Sequence, residues 1–497
     1  MKALVMGGGM SGLATAINLL DLGLEVEIIE ADDMFGGRAS SWLDEDGDMI
    51  DNALHVFFPY YVNLVNFFKK LDIDKNIIWK NSEFYFAQED GKEAVLRFGN
   101  LPAPLHAAAA YVSLIKAYTG LPKWKMIFTA LGMGMGVSRY SKAQLEELDD
   151  ITFGMWAMRV APKGAFKPME PGINGLTFTP SSMISAKVMI NWFKKVSGSA
   201  ETSRVGFANG GLGEIWVGNC LDYIKGKGGT CELGKAVTAI DIVDGKIEGV
   251  TVNGSEKRTA DIYVSAISPY ALRKLLPDES FKLGYFQDLW HFQYAPSMSL
   301  QVWFDRKLTE CEVTYFSNDC IFNTYADLSN VLPHIFKGGS MFEMVLSPAD
   351  HLVGLPDEVI FDTAIGQIKK LFPLAREAEV RKWKVVRERQ GVYRAYPGME
   401  KRRPYQRSPY DNFYLTGDYT KTHVSSGGME AATWTANHCS ELIAADKLGK
   451  TISLNEEFNP DRGLMPYIKP AMRYGPPLFG AWAAWKIARR LIRAGKA

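Results

Sequence analysis

Net charge is what the sequence most conspicuously lacks: 56 lysines and arginines offset 56 aspartates and glutamates. That balance leaves no polycationic footprint, so no nucleic-acid partner is expected. Cysteine is scarce and odd in number. Cys220, Cys231, Cys311, Cys320 and Cys439 are scattered, without metal-ligand spacing to histidines, so neither a disulfide framework nor a metal site is expected. A reducing, cytoplasmic setting fits them. No apolar run reaches the roughly 20 residues of a spanning helix. No signal or transit segment precedes the first strand, which begins at once. The chain therefore reads as soluble or peripherally attached to a membrane, not integral. Internal repeats and low-complexity tracts are missing, and no nucleophile–base constellation points to hydrolysis.

What is present begins at the first residues. Met1-Lys-Ala-Leu-Val-Met-Gly-Gly-Gly-Met-Ser-Gly-Leu is a short strand running into a glycine turn. Gly7, Gly9 and Gly12 have the spacing of a dinucleotide-binding loop, with Met10 and Ser11 between the last two and Ala16 beyond. Gly7 permits the turn, Gly9 lets the backbone approach a pyrophosphate, and Gly12 with Ala16 keeps the helix close to the sheet. The helix N-terminus then offers free N–H groups to phosphate. A second strand, Leu24–Glu30, ends on an acid eighteen residues after Gly12. There Glu30, with Ala31 beside it, can meet a ribose diol. Strand, turn, helix and acid together predict a nucleotide-binding βαβ unit.

Length sets the wider organisation. At 497 residues, with 47% apolar and 12% aromatic side chains, the chain calls for two or three domains. The pattern predicts an α/β fold with a nucleotide domain in discontinuous segments, 1–95, 206–280 and 406–450. A helical insert at 96–205 contains apolar stretches at His106–Tyr118 and Trp124–Met135. A β-rich substrate domain is expected at 281–405, with strands such as Ser297–Phe304 and Ser340–Leu346. In the middle segment Asp244-Gly245 and Asn253-Gly254 are hairpin turns between strands, and Ala260–Ala266 is a further apolar strand. The tail, 451–497, has eight basic residues and no acid from Arg462 onward. Wound as a helix, it sets Lys486, Arg489, Arg490, Arg493 and Lys496 opposite Trp485, Ile487, Leu491 and Ile492, the pattern of a membrane-surface helix.

Two further motifs choose the nucleotide. Gly36-Gly37-Arg38 resembles the second glycine motif of flavoproteins of the amine-oxidase and carotenoid-desaturase superfamily, with Arg38 supplying charge to a diphosphate. Phe413-Tyr-Leu-Thr-Gly-Asp-Tyr-Thr is an apolar strand ending on Gly417-Asp418, and Met429-Glu430 opens an alanine-rich helix nine residues beyond Thr420. Asp418 can take a ribityl hydroxyl, and the helix can point its N-terminus at the flavin ring.

More widely, Trp42-Leu-Asp-Glu-Asp-Gly-Asp, Leu54-His-Val-Phe-Phe, Leu101-Pro-Ala-Pro-Leu, Val302-Trp-Phe-Asp-Arg-Lys-Leu, Tyr325-Ala-Asp-Leu-Ser and Gln406-Arg-Ser-Pro resemble the plant and cyanobacterial phytoene and ζ-carotene desaturases. Ala431 departs from the glycine usual after Met-Glu, and residues 150–200 match loosely. The resemblance implies a Rossmann-like, GR2-type FAD-binding domain, an α+β substrate domain and an insert that can face a membrane. It implies non-covalent FAD, a hydrophobic isoprenoid polyene as substrate, hydride transfer to flavin, a quinone as electron acceptor and peripheral attachment to a membrane. Carried over residue by residue, Gly7, Gly9, Gly12, Glu30, Gly36, Gly37, Arg38, Val237, Asp418 and Met429 contact FAD. Met10, Ser11, Ala31, Ala266 and Gly417 flank them, and His55 lies near the flavin. No catalytic residue is assigned; His55 is a candidate for taking a proton. A hydroxysqualene dehydroxylase, a carotenoid isomerase, or an amine or porphyrinogen oxidase are the alternatives.

Overall fold

The computed structural model describes residues 1–101, 105–119, 137, 140, 142–160, 166–424 and 427–460. The helical stretch expected at Trp124–Met135 and the basic tail from Arg462 onward lie outside the described residues. The chain starts as its pattern predicts: β1 (Lys2–Met6), α1 (Met10–Asp21) and β2 (Glu25–Ile29). β1 sits at the centre of a five-stranded sheet in the order Phe413–Leu415, Ile262–Ser265, β1, β2, Thr230–Glu232, and every pairing is parallel. Apolar residues alternate between two cores. Ala3, Val5, Val26, Ile28 and Val264 pack on the helix side with Leu13, Ala436 and Ile443, while Leu4, Met6, Ile29 and Tyr263 pack on the opposite face. A sheet covered on both faces needs such continuous apolar strands. The helix Met429–Leu448 lies against α1, tied by Asn18 Nδ2 donating to Asn437 Oδ1 at 2.9 Å.

A three-stranded antiparallel sheet follows, Val237–Val243, Lys246–Val252 and Glu256–Arg258. Its two turns fall on Asp244-Gly245 and Asn253-Gly254, all four with positive φ, which is the backbone twist a two-residue hairpin requires.

The third sheet has seven strands: Val380–Tyr393, Tyr294–Phe304, Met341–Leu346, Phe322–Asp327, Tyr315–Phe316, Glu83–Ala87 and Glu93–Arg97. Glu83–Ala87 and the start of Glu93–Arg97 fall in the segment 1–95, which the sequence pattern assigns to the nucleotide domain. In the structure they extend the sheet of the 281–405 region, because Tyr85 and Phe86 pair with Tyr315 and Phe316. The strand Tyr294–Phe304 shows why this sheet has two unlike faces. Met298, Leu300, Val302 and Phe304 pack with the helix Asp357–Leu371. Ser299 and Gln301 point the other way and donate to the carbonyls of Asn52 and Asp51. The period of two thus gives one face to the core and the other to the segment beside Arg38. The helices Leu105–Thr119, Phe153–Val160, Glu170–Thr177 and Ala186–Val196 cover the end of the sheet built by Glu83–Arg97, with Tyr111, Trp156, Ile173 and Phe193 in one apolar cluster.

Candidate functional site

The first glycine motif is folded so tightly that side chains are excluded. A Cβ on Gly12 would lie 1.9 Å from the Gly7 carbonyl oxygen, and one on Gly7, where φ is +109°, would lie 2.9 Å from the Ala266 carbonyl oxygen. The helix α1 opens on Gly9 with no side-chain cap and no acid in its first turn, so its leading N–H groups are left for an anionic ligand. Glu30 is fixed beside the loop: its carboxylate accepts from the N–H of Gly8 at 2.6 Å, Ala31 at 2.7 Å and Asp32 at 3.0 Å. The Lys235 N–H donates to the Glu30 carbonyl at 2.7 Å, which brings Val237 to the same edge. Ala266 packs on Gly12 and donates its N–H to Met6.

Sequence spacing could not show that the second glycine motif lies directly on the first. The Gly36 N–H donates to the Gly8 carbonyl at 2.9 Å, Gly9 and Gly36 form a parallel bridge, and a Cβ on Gly37 would touch Gly9 Cα at 3.4 Å. The third segment joins from the far end of the chain. Arg38 ion-pairs Asp418 at 2.8 Å and donates to the Gly391 carbonyl at 2.7 Å. The other Asp418 oxygen accepts from the N–H of Gly428, the residue that opens the helix carrying Met429. The motifs predict separate contacts for Arg38 and Asp418 with a cofactor; in the structure the two side chains are partners. Gly417 takes a hydrogen bond from its N–H to Thr435 Oγ1 at 3.2 Å and lies beside Ser11, while Met10 is buried.

Several residues of this site carry no motif. Arg403 is 2% exposed and spends its guanidinium on the 418–420 turn: it donates to the carbonyls of Asp418 (2.7 Å), Thr420 (3.1 Å) and Tyr419 (3.3 Å), and to Glu400 at 2.9 Å. Around Asp418 the buried hydroxyls of Tyr294 and Tyr393 have no hydrogen-bond partner among the described residues. Unpartnered polar atoms around a side-chain-free cradle fit a large polar cofactor that supplies their partners.

His55 lies one residue from an apolar cavity. Its Nδ1 is 2.6 Å from the Ala53 carbonyl. Burial lowers its pKa, Arg38 nearby lowers it further, and the Ala53 contact opposes. The ring is therefore neutral at pH 7, with Nδ1–H on the carbonyl and a lone pair on Nε2. The adjacent Val56 and then Phe58 begin the wall of an apolar cavity of about 50 Å³ that opens towards solvent. Trp192 continues that wall, and Phe84, Phe86 and Phe316 line the cavity as well. Among the described residues no charged side chain lines it, and its Thr314 hydroxyl is buried without a partner among them.

Two acidic clusters lie elsewhere in the fold. Asp44, Asp46 and Asp48 converge, but on the Lys382 ammonium, at 2.6, 2.7 and 2.6 Å. Asp51 and Glu343 are both buried, Gln301 donating to the Asp51 backbone carbonyl and to the Glu343 carboxylate, and burial raises both carboxyls, Asp51 to about 7.

With that geometry in place, comparison with known proteins is specific. The family described as "Flavin containing amine oxidoreductase" matches residues 10–444. The 15-cis-phytoene desaturase of Synechococcus elongatus is 31% identical over 460 residues, covering 90% of this chain and 96% of its own. The chloroplastic/chromoplastic 15-cis-phytoene desaturase of Arabidopsis thaliana is 30% identical, covering 90% and 80%. A probable zeta-carotene desaturase of S. elongatus is 29% identical, covering 87% and 96%. Among solved structures, an oxidoreductase from Methanosarcina mazei superposes with a TM-score of 0.67 at 18% identity, covering 88% and 99%. A putrescine oxidase bound to putrescine gives 0.66 at 15%, covering 90% and 99%. These two share the fold.

Proposed function

The chain belongs to the flavin-containing amine oxidoreductase family, and from that premise we propose that it is an FAD-dependent desaturase of a long isoprenoid polyene of the phytoene or ζ-carotene type. The observation that carries the reading is the cavity beside His55: aromatic and aliphatic, without a charge to meet an ammonium or a carboxylate. Such a lining suits a hydrocarbon and disfavours an amine or a porphyrinogen. The desaturase relatives named above support the substrate class.

FAD, when bound, supplies the two-electron acceptor for a hydride leaving an allylic C–H. The chain supplies the rest. Gly7, Gly9 and Gly12 with the N-terminus of α1 hold the diphosphate, Glu30 and Ala31 the adenosine ribose, and Val237 the adenine. Gly36, Gly37 and Arg38 would stand towards the diphosphate, Asp418 with Gly417 towards the ribityl chain, and Met429 towards the ring. The apolar lining would shield the polyene from water and orient its reacting carbon. His55 Nε2, on a neutral ring one residue before the Val56 of the cavity wall, is the candidate acceptor for the proton that follows. One hydride and one proton leave, and one double bond forms.

The electrons pass to a quinone, which takes two electrons and two protons to become a quinol; the family resemblance supports this acceptor. The protein works on a membrane surface. The basic, tryptophan-bearing tail supports that location, as do Met155, Met158 and Met183, which are 44%, 72% and 41% exposed. Among the described residues no helix is long and apolar enough to cross a membrane.

The test of the chemistry is anaerobic. Mixing the FAD-loaded protein with phytoene in liposomes should bleach the oxidised-flavin absorbance with one double bond formed per flavin; no bleaching by polyene contradicts the reading. For the location, removing residues 478–497 should weaken binding to anionic liposomes and leave FAD bound; unchanged liposome binding removes the tail from the account.

A further inference from the structure

Two glycines stand one turn apart in the helix Glu170–Thr177, and they are held by different constraints. A glycine inside a helix weakens it, so each calls for a reason. At Gly175 the reason is contact: a Cβ would lie 1.9 Å from Thr324 Oγ1, because the helix rests directly on the strand Phe322–Asp327. At Gly172 no such collision exists. Its backbone is ordinary helix, and an added Cβ would meet the Phe316 ring at 3.5 Å, a normal contact distance. Packing tolerates a methyl group there. What distinguishes Gly172 is that it lines the cavity, together with the Phe316 ring it faces.

The cavity lining includes Val56 and Phe58, directly after His55 in the chain, with Trp192 6.4 Å from the Phe58 ring. It also includes an aromatic floor: Phe316 lies 5.7 Å from Phe84 and 5.2 Å from Phe86, ring centre to ring centre. The floor rings come from strands of the seven-stranded sheet, so they are rigidly placed. The opposing helix is where the depth can be set. A side chain at position 172 would project between the helix and the floor, into the space that the missing side chain leaves.

Resting on the polyene-desaturase reading, we propose that Gly172 sets the depth of the substrate pocket, and that the hydrocarbon end remote from the reacting carbon seats on the Phe84–Phe86–Phe316 floor. Gly172 is in this account a specificity-determining residue. It leaves the flavin and the reacting carbon untouched and selects how much chain fits beyond them. A longer side chain shortens the pocket from its far end, so a full-length polyene no longer brings its reacting carbon to the flavin, whereas a shorter one still does.

The experiment uses the FAD-loaded full chain, wild type, Gly172→Leu and Gly172→Ala. It measures kcat/KM for phytoene and for a polyene shortened by one isoprene unit at one end, with FAD content and melting temperature recorded beside them. Gly172→Leu should lower the phytoene-to-short-substrate ratio of kcat/KM by about tenfold, the size expected when a few buried methylenes no longer fit. Gly172→Ala should shift the ratio in the same direction by less. A purely structural role for Gly172 predicts equal loss on both substrates, and that result overturns the proposal, as does a ratio unchanged in both variants. If Gly172→Leu does not load FAD, Gly172→Ala alone decides by the same ratio. Conversion of neither substrate by the wild-type enzyme would instead defeat the desaturase reading itself, before Gly172 is at issue.

Discussion

At the nucleotide end the chain works with its backbone. Gly36 donates to the Gly8 carbonyl, Glu30 collects three N–H groups, and Arg403 collects three carbonyls. At the pocket end it works with ring faces, Phe84, Phe86 and Phe316 packed within 6 Å of one another's centres or linked through Phe316. A backbone cradle depends on fixed polar directions, and one wrong charge disrupts it. An apolar wall depends on shape, and a change of one methyl group is absorbed or felt by degrees. The two ends should therefore fail differently.

The sharpest break lies under the nucleotide end. Arg403→Met leaves Glu400 with only the longer Lys187 contact, at 3.8 Å, and releases the 418–420 carbonyls, a loss of about 3 kcal/mol, the low end for one half of a buried pair. Melting temperature and FAD content should fall together, and unchanged melting with full FAD would show that the turn holds without Arg403. The burial of this pair is also what sequence hides. In Glu-Lys-Arg-Arg-Pro the basic run reads as a solvated surface, and Lys401 and Arg402 are indeed exposed. Nothing in the letters marks Arg403 as different.

An intermediate effect comes from pH. Burial raises the Asp51 and Glu430 carboxyls to about 7, Glu430 while it accepts from Asn63 and Leu64. Unfolded, both titrate near 4. The folded state thus holds protons that the unfolded state has released, and their contribution to stability is full below about pH 4 and is lost as pH rises towards 7. The lowered pKa values of His55 and His106 act in the opposite sense, so the difference between proteins is the informative quantity. Asp51→Asn with Glu430→Gln should raise the melting temperature at pH 7.5 relative to pH 5, compared with wild type. An identical pH dependence in both proteins would place these protons elsewhere.

The smallest effect is expected at the pocket. Thr314→Val replaces an unpartnered buried hydroxyl with a methyl of similar shape. For a hydrocarbon substrate, KM should stay within about twofold or fall, since no hydrogen bond is lost. A clear rise in KM would mean that an oxygen atom of the substrate sits against Thr314 and would favour an oxygenated isoprenoid.

Legibility follows the same division. The βαβ unit, the Asp244-Gly245 and Asn253-Gly254 turns and the position of Gly417-Asp418 at a strand end were readable, because backbone demands select residue types at fixed spacing. The face-to-face packing of Gly9 on Gly36 was not, since spacing along the chain says nothing about which loops meet. Nor was the transfer of Glu83–Arg97 into the seven-stranded sheet: its alternation is that of any half-buried strand, and its partner Tyr315–Phe316 lies more than 200 residues away. The pocket was least legible of all. Its rings come from five separate stretches, around Phe58, Phe84–Phe98, Tyr111, Trp192 and Phe316, and in each of them an apolar residue has the same appearance as core.

The account stands most directly on what the protein does to a polyene. Expressed in a bacterial host that accumulates phytoene, and with FAD confirmed on the purified protein, it should yield new polyenes absorbing at longer wavelength, separable by chromatography and countable in added double bonds. Phytoene recovered unchanged beside a flavin-loaded enzyme would contradict it.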